Sequence, residues 1–228
     1  MKIKITAYVK KHYPLMLSFC IPVILMLGYF IYRKMAPFGQ NTLLTVDLGQ
    51  QYIDFFAFFR NSILHDPSNF FYSFNKAIGG EMFGEFAYYL LSPFNLLFLF
   101  FPGKSITAGV MLVTLLKYGC SGYTFGRLLK KQQIQSNILL PLFSTVYALM
   151  GWAIANQLNL LWVDALVFLP LIINSLLQLL KNQHGTSYSL WLALMFISNY
   201  YMGYMIALFL FLFFIWTETD NFVSIRHT

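Results

Sequence analysis

The fold is decided by residues 158–180, which read LNLLWVDALVFLPLIINSLLQLL. This run has 23 residues, and Asp164 is its one charged residue. A helix needs about 20 mostly apolar residues to cross the hydrocarbon core of a bilayer. The stretch therefore predicts a transmembrane helix.

Similar apolar runs occupy residues 14–32, 105–125, 138–155 and 188–216. The last run has 29 residues, and small and polar residues at 198–203 interrupt it. We therefore predict two spans there, 188–200 and 202–216. Together the runs predict an all-α polytopic membrane protein with a single transmembrane domain over residues 1–228.

Composition excludes a soluble domain. Hydrophobic residues make up 58% of the chain and charged residues only 10%, whereas an ordinary soluble domain carries about 25% charged residues. Lipid is the solvent that tolerates such a surface.

Basic residues predict the orientation, because cytoplasmic loops of membrane proteins are enriched in Lys and Arg. With the N-terminus in the cytoplasm, the cytoplasmic side receives the larger group: Lys2, Lys4, Lys10, Lys11, Arg127, Lys130, Lys131, Lys181 and Arg226. Residues 33–104 then form one long external loop. The net charge of +7 is interpreted as topology and contact with anionic lipid, not as nucleic-acid binding. We expect a multi-pass protein of the bacterial plasma membrane.

Within that loop, residues 87–101 are apolar but short and are interrupted by Ser92, Pro93 and Asn95. We predict a re-entrant or interfacial segment, because irregular backbone survives at membrane depth only when protein or a cavity surrounds it.

Residues 46–65 have the pattern of an amphipathic helix. Two alternatives fit it equally: a helix in the membrane interface with its aromatic face in lipid, or a helix packed over the bundle. Asp47 lies at the start of this helix. One alternative for Asp47 is a purely structural role as the N-cap of the helix. Further along, the pair Gly79 and Gly80 is more typical of a plain turn than of a ligand-binding loop.

Two ionisable residues lie inside apolar runs. A charge at membrane depth is costly and is a functional hypothesis by default, so Asp164 is interpreted as functional, with an interfacial Asp bonded to Asn156 or Asn159 as the alternative. Lys117 either extends its stem to the interface or needs an anionic partner. A carboxylate or a lipid phosphate would serve.

Four short motifs resemble the amino-terminal part of the YfhO family of bacterial membrane proteins. They are VDLGQQY at 46–52, LSPFNLL at 91–97, LWVDA at 161–165 with Pro170 downstream, and SNYYMGY at 198–204. The resemblance covers essentially the whole chain. It implies that the chain is an incomplete amino-terminal part of a larger protein.

The resemblance also implies a GT-C-like helical bundle, with interfacial or re-entrant helices in a long first external loop. Such glycosyltransferases take a sugar from a polyprenyl-phosphate donor on the outer face of the membrane. This family is associated with decorating teichoic acid in the cell envelope. Implied partners are membrane lipids, the lipid-linked sugar, a glycosyltransferase that loads the carrier and a flippase-like protein.

Carried onto this sequence, the family pattern makes Asp47 the candidate catalytic residue. Asp47 and Asp164 are candidate ligands for a divalent cation, Mg²⁺ or Mn²⁺, since hard cations prefer oxygen ligands. The candidate substrate-binding residues are Gln51, Tyr52, Lys117, Asn199 and Tyr200.

Two other functions remain open. A transporter or flippase of a lipid-linked precursor should show paired broken helices or inverted repeats. A non-catalytic assembly subunit requires neither those features nor acidic groups gathered at one membrane face.

Overall fold

The computed structural model describes residues 2–76, 78–134, 136–181 and 185–226, with side-chain detail over 12–217 and at 219 within those ranges. The chain is an all-α polytopic membrane protein. Its bundle contains α1 (Lys2–Tyr32), α4 (Ile106–Lys131), α5 (Leu139–Ala148), α6 (Gly151–Ala155), α7 (Leu160–Leu180), α8 (Thr186–Ser198) and α9 (Tyr200–Arg226). The basic residues Lys2, Lys4, Lys10, Lys11 and Arg226, used to predict the orientation, lie outside the described side chains.

Three helices are long and apolar enough to cross a membrane within the described residues: His12–Tyr32, Leu160–Leu180 and Tyr200–Thr217. Helix α4 matches the predicted span at 105–125 but is not in this group. It is the central helix of the bundle and contacts α1, α5 and α7. A helix surrounded by protein does not need an apolar surface all round, so α4 can carry polar residues such as Lys117 and Ser121, both fully buried.

Helices α1 and α4 pack closely through glycines of α4. A Cβ atom placed on Gly122 would collide with the backbone oxygen of Ser18, and one on Gly119 would collide with Phe19. Small residues at such a crossing let two membrane helices approach until their backbones are in contact.

The apolar run at 138–155 does not form the single helix that we predicted. It divides into α5 and α6 because Met150, with φ −61° and ψ 156°, is extended. Gly151 follows directly, and a glycine inside a helix costs about 1 kcal/mol relative to alanine. Together these residues break the helix within a continuous apolar sequence.

The structure has a helix break within 188–216, while the division into two membrane spans stays a prediction. Helix α8 ends at Ser198, and Asn199 is extended with φ −163° and ψ 107°. The Asn199 side chain accepts a 2.8 Å hydrogen bond from the Met202 N–H, which caps the start of α9. Helix α9 continues to Arg226, beyond the predicted end at 216.

The first loop, residues 33–105, is largely helical. A π-helical turn (Leu48–Tyr52) leads into α2 (Ile53–Leu64), and the 3-10 turn Pro67–Phe70 leads into a hairpin of β1 (Tyr72–Ser73) and β2 (Gly80–Glu81). The loop then continues through α3 (Phe83–Glu85), the π-helical turn Phe86–Leu90 and the 3-10 segments Pro93–Phe100 and Gly103–Ser105.

The segment from Phe83 to Phe100 bends by 95° between Phe83–Leu90 and Pro93–Phe100. Asn95 holds the bend, since its amide donates to the Tyr89 and Leu90 carbonyls at 3.1 and 3.0 Å. Ser92 accepts from the Phe94 N–H and begins the second arm. This is the geometry of a re-entrant loop or a broken span.

The helix predicted at 46–65 packs over the bundle, and its buried face does not point into lipid. Phe56 stacks on Phe98 at 4.2 Å between ring centroids, and Phe59 lies against Phe86. Asp54 and Asn61 of this helix are exposed on the opposite side. The packing alternative is therefore the correct one.

The paired glycines serve the hairpin turn, as the simpler interpretation held. Tyr72 pairs with Glu81 and Ser73 with Gly80. Gly79 has φ +102°, a conformation that residues with a Cβ rarely adopt.

Candidate functional site

Three parts of the chain meet at one end of the bundle. The Tyr52 hydroxyl donates a 3.0 Å hydrogen bond to Asn159 Oδ1 just before α7. The Asn199 amide donates a 2.9 Å bond to the Tyr88 carbonyl. The first loop, the start of α7 and the break between α8 and α9 are thereby fixed against one another.

Four tyrosines, which we call the tyrosine row, line this end: Tyr52, Tyr89, Tyr88 and Tyr200. Successive rings lie 5.5, 4.6 and 5.5 Å apart between centroids. Beside them is an open cavity of about 340 Å³, whose lining includes the last three tyrosines together with Glu81 and Glu85. Tyrosine rings combine an apolar face with a polar tip, which suits a ligand that has both characters.

Asp47 lies beside the tyrosine row. It is exposed, and its side chain makes no capping hydrogen bond to the helix that follows, so the N-cap alternative is not supported. Burial and then the negative charge of Asp47 raise the pKa of Tyr52 to about 12, with smaller contributions from Tyr89 and Tyr88. Tyr52 thus stays protonated and keeps its bond to Asn159.

Lys117 and Asp164 form a buried ion pair. Lys117 Nζ lies 2.8 Å from Asp164 Oδ1, and both side chains are 0% exposed. Lys117 Nζ also donates a 2.6 Å hydrogen bond to the Leu160 carbonyl and sits 5.3 Å from the centre of the Phe94 ring. The anionic partner of Lys117 is therefore a carboxylate, and Asp164 is not an interfacial residue bonded to Asn156 or Asn159.

This ion pair joins α4, α7 and the bend in the first loop. The Ser92 side chain of that bend lies close to the Asp164 carboxylate. Among the described residues, neither carboxylate oxygen has a hydrogen bond of standard geometry. Sequence reasoning identified Lys117 and Asp164 separately, and their opposite charges, each inside an apolar run, were the available sign of a pair.

The predicted substrate-binding residues separate into two groups. Tyr52 and Tyr200 belong to the tyrosine row, and Gln51 is exposed on the same helical segment as Tyr52. Asn199 is buried, with its side chain bonded to Tyr88 and Met202. Lys117 has no exposed surface, so it does not contact a ligand directly and instead holds α4 against α7.

The predicted pair of metal ligands does not fit a shared ion. Asp164 is sealed against Lys117, whereas Asp47 is exposed. Within the described residues, no three His, Cys, Asp or Glu side chains are grouped so as to hold a metal ion.

Sequence reasoning missed Tyr88, Tyr89 and Glu85. They occur together in EFAYYL at residues 85–90, just before the motif at 91–97. The signal was weak because tyrosines are common at both surfaces of a membrane.

The architecture and this polar, aromatic end define a polytopic α-helical membrane protein with a candidate binding site at one membrane face. More specifically, the chain belongs to the YfhO family of bacterial membrane proteins, because the family model described as "Bacterial membrane protein YfhO" matches residues 18–228. No curated protein and no solved structure matches the chain.

Proposed function

We propose that this protein is a GT-C-type glycosyltransferase. It transfers a sugar from a polyprenyl-phosphate donor to a cell-envelope polymer such as teichoic acid on the outer face of the bacterial plasma membrane. The observation that carries the proposal is the exposed carboxylate of Asp47 close to Tyr52 and Tyr89 of the tyrosine row, whose members Tyr88, Tyr89 and Tyr200 line the open cavity. An acid next to aromatic rings is a suitable arrangement for a sugar whose hydroxyl must lose a proton.

In this mechanism Asp47 is the general base. The acceptor hydroxyl attacks the anomeric carbon of the donor sugar, and Asp47 takes the hydroxyl proton. The bond between that carbon and the phosphate oxygen breaks, and its electron pair leaves with the polyprenyl phosphate. Such proton transfer typically contributes about 10²–10⁴-fold to a rate.

The tyrosine row binds the donor. Tyr88, Tyr89 and Tyr200 line the open cavity, where their ring faces pack on the sugar and their hydroxyls donate to the phosphate. Hydrogen-bond donors placed where negative charge develops stabilise a transition state. These steps are assigned to Asp47 and the tyrosine row, and none is routed through a metal ion shared by Asp47 and Asp164.

The N-terminus lies in the cytoplasm in this proposal, and the first loop faces outward. The exposed Lys131 and Lys181 are then cytoplasmic, as the positive-inside rule favours. The donor reaches the outer face through a flippase-like protein after a separate glycosyltransferase has loaded the carrier.

Asp47→Asn tests the proposal in the complete gene product. The amide keeps the shape of the side chain but cannot accept the proton, so we expect sugar transfer in isolated membranes to fall by about a hundredfold or more. Asp66→Asn is the matched control, because Asp66 is an acid of the same loop that bonds to Ser68. Transfer at the wild-type rate by Asp47→Asn, at equal protein level, would remove Asp47 from the mechanism.

A second candidate, transport of a lipid-linked precursor, is favoured by one observation. The bend in the first loop and the break at Asn199 meet through the Asn199–Tyr88 bond, and transporters bind substrates between discontinuous helices. For a transporter, inactivating the site would leave the lipid-linked sugar on the cytoplasmic leaflet. For the transferase, Asp47→Asn leaves it on the outer leaflet.

A further inference from the structure

A second cavity lies beside the hairpin and shares Glu85 with the open cavity. We call it the hairpin cavity. It has a volume of about 240 Å³, and α2, the hairpin and the start of the following helical segment form its walls. Ligand pockets for drug-sized molecules measure about 300–1,000 Å³, so this cavity fits a single small ring.

The polar walls offer both acceptors and donors of hydrogen bonds. Asp54 from α2 and Glu85 supply carboxylates, whereas Lys76 and Asn75 from the hairpin turn supply an ammonium and an amide. Two of these groups are held together: Lys76 Nζ lies 2.6 Å from Glu85 Oε1 and donates to the Glu81 carbonyl at 2.8 Å. The ion pair raises the pKa of Lys76, so the hairpin turn stays fastened to Glu85.

Glu85 keeps an unused acceptor. Its Oε2 atom is buried and has no hydrogen-bond partner within the described part of the chain. A buried carboxylate oxygen without a partner costs free energy. A hydroxyl donor from a bound molecule would remove that cost.

The apolar walls are aromatic. Phe55 and Phe58 line the cavity beside Asp54, and the Phe55 ring lies 5.0 Å from that of Tyr89. An apolar ring face bordered by carboxylates matches a sugar, whose C–H groups lie on one face and whose hydroxyls lie at the rim.

Charge separates a sugar from ionic ligands. The two carboxylates disfavour an anion, because like charges repel at short range, and Lys76 already pairs with Glu85, one of the two groups that would attract a cation. A neutral molecule with several hydroxyls avoids the repulsion and can form hydrogen bonds with Asp54, Asn75, Lys76 and Glu85.

We propose that the hairpin cavity binds one neutral sugar ring. Glu85 also lines the open cavity, so a ring held here is a neighbour of the tyrosine row. The assignment of this ring to the acceptor polymer rests on the proposed function. The proposal that the cavity binds a sugar ring is independent of it.

Direct binding tests the proposal on the complete gene product in nanodiscs, which avoids detergents with sugar headgroups. The probes are the methyl α-glycosides of glucose, galactose and N-acetylglucosamine, and saturation-transfer NMR measures their contact with the protein. We expect at least one probe to bind, with its ring protons receiving saturation from Phe55 and Phe58.

Two variants and two matched controls locate the site. Asn75→Trp fills the cavity from an exposed turn position, and Asp54→Asn removes one acceptor charge; each should weaken binding by about tenfold or more, the loss expected for one good hydrogen bond. Asn61→Trp and Asp66→Asn, which change exposed residues of the same loop outside the cavity, should bind as the wild type does.

Each outcome decides the matter. Absence of binding by every glycoside, unchanged binding in Asn75→Trp, or displacement of the glycoside by tetramethylammonium would overturn the sugar site. Asp47→Asn separates this proposal from the transferase: it should retain glycoside binding whether or not sugar transfer is lost.

Discussion

The Tyr52 hydroxyl donates a 3.0 Å hydrogen bond to Asn159 Oδ1, although 107 positions of sequence separate the two residues. This bond fastens the helix that follows Asp47 to the start of α7. The position of the candidate base relative to the bundle therefore depends on a neutral tyrosine.

Stability should fall at alkaline pH as Tyr52 ionises. The tyrosine pKa is about 10 in an unfolded chain and is raised to about 12 here. A raised pKa stabilises the fold below pH 10, and that contribution is lost as the pH rises from about 10 to 12. Tyr52→Phe should lower the melting temperature at pH 8 and make the alkaline decline shallower. Thermal unfolding in nanodiscs measures both effects, with the exposed Tyr72→Phe as control. An equally steep decline in Tyr52→Phe would contradict the assignment.

Removing one charge of the Lys117–Asp164 pair should destabilise the folded protein more than removing both charges. Lys117→Met or Asp164→Leu leaves one buried charge without its partner, at a cost of about 3–5 kcal/mol. The double variant leaves none and should recover much of the lost stability. Size-exclusion profiles and melting temperatures of the purified variants test this, and additive losses would show that the two charges do not interact.

Gly122→Ala should loosen the contact between α1 and α4. The new Cβ collides with the Ser18 backbone, and overpacking of this kind costs about 1–3 kcal/mol. Gly28→Ala is the matched control, because nothing lies within 4 Å of a Cβ at that position and alanine favours a helix. Equal melting temperatures for the two variants would argue against close packing at Gly122.

Labelling of single cysteines tests the proposed orientation. In a background with Cys20 and Cys120 replaced by alanine, an impermeant maleimide should label Asn75→Cys in intact cells. It should label Lys131→Cys only after permeabilisation, since both parent residues are exposed and the proposed orientation places them on opposite sides of the membrane. The reverse pattern would invert the topology.

Some of these features follow from local sequence and others do not. The break at Asn199 was predictable because polar and small residues interrupt an apolar run there. The break at Met150 was not, because the apolar run continues through it. For α2, one hydrophobic face is consistent with lipid or with protein, and only the packing of Phe56 on Phe98 decides between them.

The candidate site was predictable only in part. Asp47, Tyr52 and Tyr200 could be selected from motifs, but the contacts that assemble them are long-range. The pairing of Lys117 with Asp164 depends on the relative rotation of α4 and α7, which the periodicity of either helix alone does not determine. Tyr88 and Tyr89 line the cavity together with Tyr200, which is more than a hundred positions away in the sequence, so local sequence could not group them.

The buried ion pair also constrains how the protein is made. Its two members, Lys117 and Asp164, are 47 residues apart in the sequence, so at about 5–20 residues per second the ribosome needs roughly 2–9 s to supply Asp164 after Lys117. During that interval α4 carries a lone charge whose insertion at mid-membrane costs about 2.5–3.5 kcal/mol. We therefore expect α4 to insert stably only once α7 has emerged, so slower translation between the two helices should lower the yield of inserted protein.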